Sequence, residues 1–245
     1  IFKQSINTKI AFNKFYYPKT GGFNSFFADS YKDININYNH KITEIDLNNK
    51  ILKFNDNQKI KYKNLYSSIP LTEYLNLISN LPKNIEKALK ELKYTNLICV
   101  NMSINTEINF PYHWCYFYDK QIEISRLSVI NNLTGENNSK FNLQAEVFRR
   151  NDEKYNVNTI ENNVKTFILD FFNINNQTEI EIKSQVIKYA YPIPLLNNEE
   201  NIKTIKEWLK KSKIFTIGLY GNWQYMWSDQ AYSNGKQLAE KINNE

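Results

Sequence analysis

The sequence predicts an α+β protein, α/β in one of its two parts, and three observations carry that prediction. Alternating and helix-spaced apolar residues both recur along the 245 residues. Residues 21–71 and 213–245, at opposite ends of the chain, each read as half of one α/β layer. Residues 72–212 read as a separate sheet with packed helices, inserted between those halves. The length suffices for one large domain or two modest ones with a substantial core.

Taken in order, Gly21 and Gly22 allow a tight turn, and Phe23, Phe26, Phe27 and Ser30 then recur at helical spacing, predicting a helix over 23–31. Residues 34–38 alternate apolar and polar as a strand. Strands at 41–46, 51–54, 59–62 and 64–69, separated by Asn-rich turns, make 34–70 a β-meander. Helices follow at 71–81 and 83–92, with Pro82 at the start of the second. The next strands fall at 96–105, 114–118, 123–129 and 142–149, with a polar loop at 135–140. Ile160, Val164, Phe167, Ile168 and Phe171 give 159–172 one apolar helical face. A strand at 179–191, a helix at 201–211, a strand at 215–220 and a helix starting at Ser228 complete the chain.

Composition narrows the function. Cys99, Cys115, His40 and His113 are the only cysteines and histidines, without a CxxC or a Cys/His cluster, so no metal site is expected. Two free thiols in apolar stretches fit a reducing compartment, and a cytoplasmic location is the expectation. No apolar run approaches the roughly 20 residues of a membrane span. The formal charge is +6. It is carried by lysines spread singly, which suits either an anionic ligand or an ordinary soluble surface, and no basic stripe marks a nucleic-acid binder.

The last thirty residues are the most informative. Gly218 and Gly221 sit in a turn flanked by Trp223 and Tyr225, and a helix opens at Ser228, Asp229 and Gln230. A helix start presents unpaired N–H groups and a positive dipole end that favour an anion or electron-rich edge. The same residues also make an ordinary capped helix with an acid in its first turn, which needs no ligand.

Several segments in order resemble the flavin-dependent amine oxidase superfamily, most of all its protoporphyrinogen-oxidase-like and UDP-galactopyranose-mutase-like branch. They are residues 17–23 around Gly21 and Gly22, 42–46, 68–71, His113 to Arg126, 189–193, and the run of Gly218, Gly221, Trp223, Tyr225, Asp229 and Gln230. The resemblance implies a partial FAD-binding domain at 21–71 and 213–245, interrupted by a mixed-sheet substrate domain made of 1–20 and 72–212. It also implies a dinucleotide-binding βαβ unit with a glycine-rich fingerprint. The six glycines of this chain cannot form that fingerprint. The missing FAD-binding half is therefore expected in cis or in trans, and the chain alone is expected to be inactive.

From the resemblance, the cofactor is FAD. Gly21, Gly22, Ile42, Gly218, Gly221, Trp223, Tyr225, Ser228, Asp229 and Gln230 are its candidate contacts, and His113, Arg126 and Tyr191 are candidate contacts of a small-molecule substrate. Catalytic residues stay unassigned. Leu219 departs from the pattern, because many relatives carry Arg there. Two chemistries are open: hydride transfer from a substrate C–H to flavin N5, or a flavin-dependent rearrangement of a sugar nucleotide. A non-catalytic carbohydrate-binding or degenerate flavoprotein module is the rival.

Overall fold

The computed structural model describes residues 15–135 and 139–244. Three sheets and seven α-helices are found among them. Strands β1 (Ile42–Asp46), β2 (Ile51–Phe54) and β3 (Lys59–Lys61) form an antiparallel meander. Strand β4 (Leu65–Ser67) leaves that meander. It pairs in parallel with β10 (Ile214–Thr216), from the far end of the chain. Between these two lie α1 (Leu71–Asn76), α2 (Lys83–Glu91), β5 (Tyr94–Ile104), β6 (Trp114–Tyr116), β7 (Arg126–Val129), α3 (Ile130–Thr134), β8 (Phe141–Arg150), α4 (Val157–Phe171), β9 (Ile180–Pro192) and α5 (Asn198–Lys211). Helices α6 (Gly218–Asn222) and α7 (Ser228–Asn243) close the described chain.

Strands β5 to β9 make one sheet in the order β6-β7-β8-β5-β9, antiparallel throughout. Side chains alternate across a strand, so the register sorts them onto two faces. One face carries Ile98, Val100, Met102, Leu127, Leu143, Ala145 and Val147, all buried, and α4 covers it with Ile160, Val164 and Ile168. That i, i+4, i+8 stripe is what makes 157–171 a helix here, and Asn156 caps it by accepting the Thr159 N–H at 3.0 Å. The other face carries Asn101, Ser103, Gln144, Arg126 and Ser128. An antiparallel sheet can leave one face polar in this way.

A second core joins β1, β2, α1, α2, α5 and β10 through Ile45, Leu52, Leu75, Ile85, Ile205 and Ile214. Strands β5 and β9 reach into both cores: Tyr94 and Tyr189 pack with the second, Ile98 and Ile180 with the first. Their register slips between Thr95 and Leu97, where Tyr189 adopts φ +60°. A bulge of this kind re-aims a strand.

Several expected elements differ. Residues 23–31 form two 3-10 turns, Phe23–Phe26 and Ala28–Tyr31, rather than one helix. Their phenylalanines meet one another, and Phe23 and Phe26 remain more than half exposed. None of their residues is buried against the other described residues, so no covered apolar stripe favours the longer helix. Residues 34–38 form no strand and find no ladder partner. The helix expected over 71–81 stops at Asn76, and the strand expected over 215–220 stops at Thr216. Gly218, at φ +70°, turns the chain into α6 instead. Helix α3 falls where only strand and loop were expected. Cys99 and Cys115 are unpaired.

Candidate functional site

The polar face of the five-stranded sheet meets the turn between α6 and α7. Arg126 on β7 and Glu146 on β8 stand directly opposite and form an ion pair. The Glu146 side chain is only 8 % exposed. Burial of the Arg126 guanidinium opposes its charge, but the hydrogen bond and charge of Glu146 outweigh burial and hold its pKa above the ordinary value. A hydrogen bond with Tyr116, its register neighbour on β6, adds to this. Cys99 lies opposite Glu146 on β5, and burial, then the Glu146 charge, push its thiol up, so it stays protonated. A thiol held in that form is a poor nucleophile.

Tyr191 belongs to the same face. Its ring centroid lies 5.8 Å from Phe148 and 5.6 Å from Tyr225, which comes from the turn before α7. Burial pushes the Tyr191 phenol up, and Tyr225 and Glu146 push it further while Arg126 opposes them. Tyr220, raised by burial, donates a long hydrogen bond of 3.5 Å to the Ala190 carbonyl. Arg126, Tyr191 and Tyr225 are thus brought together. Glu146, which completes the group, was not foreseen: in the sequence it is one polar position of an alternating strand, and only the β7–β8 register reveals its partner.

The turn itself is tied down by asparagines. Asn234 Oδ1, on α7, accepts the Gly218 N–H at 3.0 Å and the Asn222 amide at 2.9 Å, and Thr216 donates to Asn222 Oδ1 at 3.2 Å. Gly221 is needed for packing, because a Cβ there would lie 2.6 Å from the Ser67 carbonyl oxygen. Its close neighbour is thus β4 backbone. Trp223 is 2 % exposed, with φ +52° and its ring 6.0 Å from that of Tyr94. Gln230 reaches back to accept the Trp227 N–H at 2.8 Å, while Ser228, Asp229 and Gln230 remain exposed at the start of α7. The first N–H groups of a helix have no partner within it.

The remaining candidates lie apart from this group. Gly21 and Gly22 both have positive φ, and Gly22 has nothing within 4 Å of where a Cβ would stand. Ile42 opens β1 opposite Phe54. His113 lines a separate polar cavity of about 910 Å³ with Phe110 and Asn132, and its ring meets Phe15 at 5.1 Å. Among the described residues no group of three or more His, Cys, Asp or Glu could hold a metal ion. No helix of the described residues is long and apolar enough to cross a membrane.

A flavin can be tested against these residues. The start of α7 is exposed, and Gly218 beside it, at positive φ, has nothing within 4 Å of where a Cβ would stand, which leaves room for a flat electron-rich ligand edge; Gly22 is open in the same way but lies apart. Gly221 and Trp223 serve the fold. No glycine-rich phosphate cradle exists in the sequence, so the residues fit the ring end of FAD and not its diphosphate.

No protein-family model and no curated protein sequence matches the chain. Solved structures do. A reduced UDP-galactopyranose mutase superposes with a TM-score of 0.75 at 17% identity, over 85% of this chain and 48% of its own. A protein from Exiguobacterium described as a protoporphyrinogen oxidase gives 0.70 at 13%, over 90% and 51%. A fatty acid isomerase from P. acnes that produces CLA gives 0.62 at 11%, over 82% and 47%. The first two carry the names of the branch that the motifs resemble, and at these identities the likeness is one of fold. The chain spans about half the length of each of these structures.

Proposed function

We propose that this chain supplies the substrate sheet and the ring-side half of an FAD site in a flavin-dependent oxidoreductase. A βαβ unit, in cis or in trans, would hold the dinucleotide phosphates. The observation that supports this best is the meeting of Arg126, Glu146, Tyr191 and Tyr225 beside the exposed start of α7. In the domain division that goes with this reading, 21–71 and 213–245 contribute to the cofactor side, and 1–20 and 72–212 to the substrate side. Cytoplasmic location remains part of the proposal.

When bound, the flavin would accept hydride from a substrate C–H. The chain's own residues would bind and orient that substrate. Tyr191, held protonated, offers a hydroxyl donor, and the Arg126–Glu146 pair offers a donor and an acceptor without net charge. Such a face suits a polar substrate oxidised beside nitrogen or oxygen better than a polyene, which needs an apolar tunnel. The sugar-nucleotide reading needs arginines free for a diphosphate. All three arginines, Arg126, Arg149 and Arg150, are paired with carboxylates, and Leu219 stands where relatives carry a fourth. That favours the oxidoreductase.

The test is reconstitution with FAD and a glycine-fingerprint βαβ unit. The completed protein should turn yellow, absorbing at about 450 nm, while the chain alone stays colourless. An Asp229→Ala variant should retain less flavin. A completed, folded protein that binds no flavin contradicts the proposal and favours the non-catalytic module.

A further inference from the structure

Among the described residues, eight that are not glycine have positive φ. Four of them are asparagines, which tolerate that conformation, and two are lysines. The remaining two are large aromatics, Tyr189 at φ +60° and Trp223 at φ +52°. A bulky side chain is disfavoured there and stays only where its surroundings over-determine it.

Each of the two stands at a break in a regular element. Tyr189 is the middle one of Lys188, Tyr189 and Ala190, which together oppose only Asn96 of β5. Trp223 ends α6, where the Gln224 N–H donates to the Leu219 carbonyl at 3.0 Å, and a helix end closed in this way ordinarily takes glycine. What the two breaks share is one ring. Tyr94, at the start of β5, has its ring centroid 4.4 Å from that of Tyr189 and 6.0 Å from that of Trp223. No other aromatic ring of the described residues meets either. Tyr94 is itself fixed by Asn151, whose Oδ1 accepts the Tyr94 N–H at 3.1 Å and whose N–H donates to the Tyr94 carbonyl at 2.9 Å.

Two residues beyond each break stands a tyrosine of the candidate site: Tyr191 after Tyr189, and Tyr225 after Trp223. Their ring centroids lie 5.6 Å apart. A two-residue step is too short to absorb a change of φ at its start, so the left-handed residue sets where the tyrosine goes. We infer that Tyr94 is a positioning residue for the candidate site. Its ring holds Tyr189 and Trp223 in the left-handed conformation and so keeps Tyr191 and Tyr225 in contact beside Arg126 and Glu146. The value of that contact to a substrate rests on the function proposed above. The positioning does not, and its test uses no flavin, so failure of one is told apart from failure of the other.

The experiment is NMR of the whole chain with ring-labelled tyrosines, with Tyr191→Phe and Tyr225→Phe assigning the two signals. The unaltered chain should show a cross-peak between the Tyr191 and Tyr225 rings. Tyr94→Phe, which keeps the ring, should retain that cross-peak. Tyr94→Leu and the milder Tyr94→Met, which fill the core without a flat ring, should lose it. Leu209→Ala, at a buried position of the same core, should lower stability and leave the cross-peak in place. Survival of the cross-peak in Tyr94→Leu or Tyr94→Met overturns the inference. So does its absence from the unaltered chain, or its loss in Tyr94→Phe or Leu209→Ala.

Discussion

Helices α4 and α7 have almost the same length, 15 and 16 residues, and opposite fates. Helix α4 buries Ile160, Val164, Ile168 and Leu169 against a five-stranded sheet made wholly by this chain. Helix α7 has an apolar stripe as well, through Ala231, Gly235, Leu238 and Ile242, yet none of its residues is buried. It is tied to α6 through Asn234, and its stripe residues are only half-buried. The strands differ in the same way. The antiparallel sheet has its apolar face covered, while β4 and β10 make a parallel pair with no third strand among the described residues. Parallel sheets are ordinarily buried on both faces and built from more strands. One region is complete within these residues; the other has the form of an edge. The candidate site lies where they meet, and under the proposed function a βαβ unit would complete it.

The largest effect should come from cutting into the completed region. Ile168→Ala should cost about 2–5 kcal/mol of stability, because the side chain is fully buried between α4 and the sheet. The matching change in the stripe of α7, Leu238→Ala, should cost less than about 1 kcal/mol. Urea unfolding of the two variants measures both. Equal losses would break the contrast between the helices.

A finer contrast is available at two glycines. Gly221→Ala forces a methyl group to 2.6 Å from the Ser67 oxygen, so backbone must move and stability should fall by about 1–3 kcal/mol. Gly235→Ala, inside α7 with nothing within 4 Å, should raise stability by about 0.5–1 kcal/mol. Thermal unfolding reads the two signs. A neutral Gly221→Ala would remove the account of β4 and α6 in close contact.

The comparison also explains what the sequence could and could not disclose. Strands β5, β8 and β9 and helices α4 and α5 were legible because each buries a periodic apolar set against a partner within the chain. Residues 23–31 and 34–38 carry the periodicities of a helix and a strand, but none of them is buried among the described residues, and they take up 3-10 turns and an irregular path. In the site, Arg126, Tyr191 and Tyr225 stood out by their chemistry. Glu146 did not, because its meaning depends on a register between strands twenty residues apart. Trp223 and Gly221 were visible as a motif, but only packing shows that one fills the core and the other makes room for Ser67. The strand predicted over 215–220 failed at Gly218, whose positive φ is a conformational choice that composition does not reveal.

Hydrogen exchange along α7, measured for the chain alone and after adding FAD with a dinucleotide-binding βαβ unit, tests the central claim most directly. The account predicts that amides of α7 exchange far faster than those of α4 in the chain alone. On completion, protection should rise along α7 and at its first turn around Ser228 and Asp229, with α4 unchanged. Protection of α7 already equal to that of α4 in the chain alone, or no gain when flavin and partner unit are present, would contradict it.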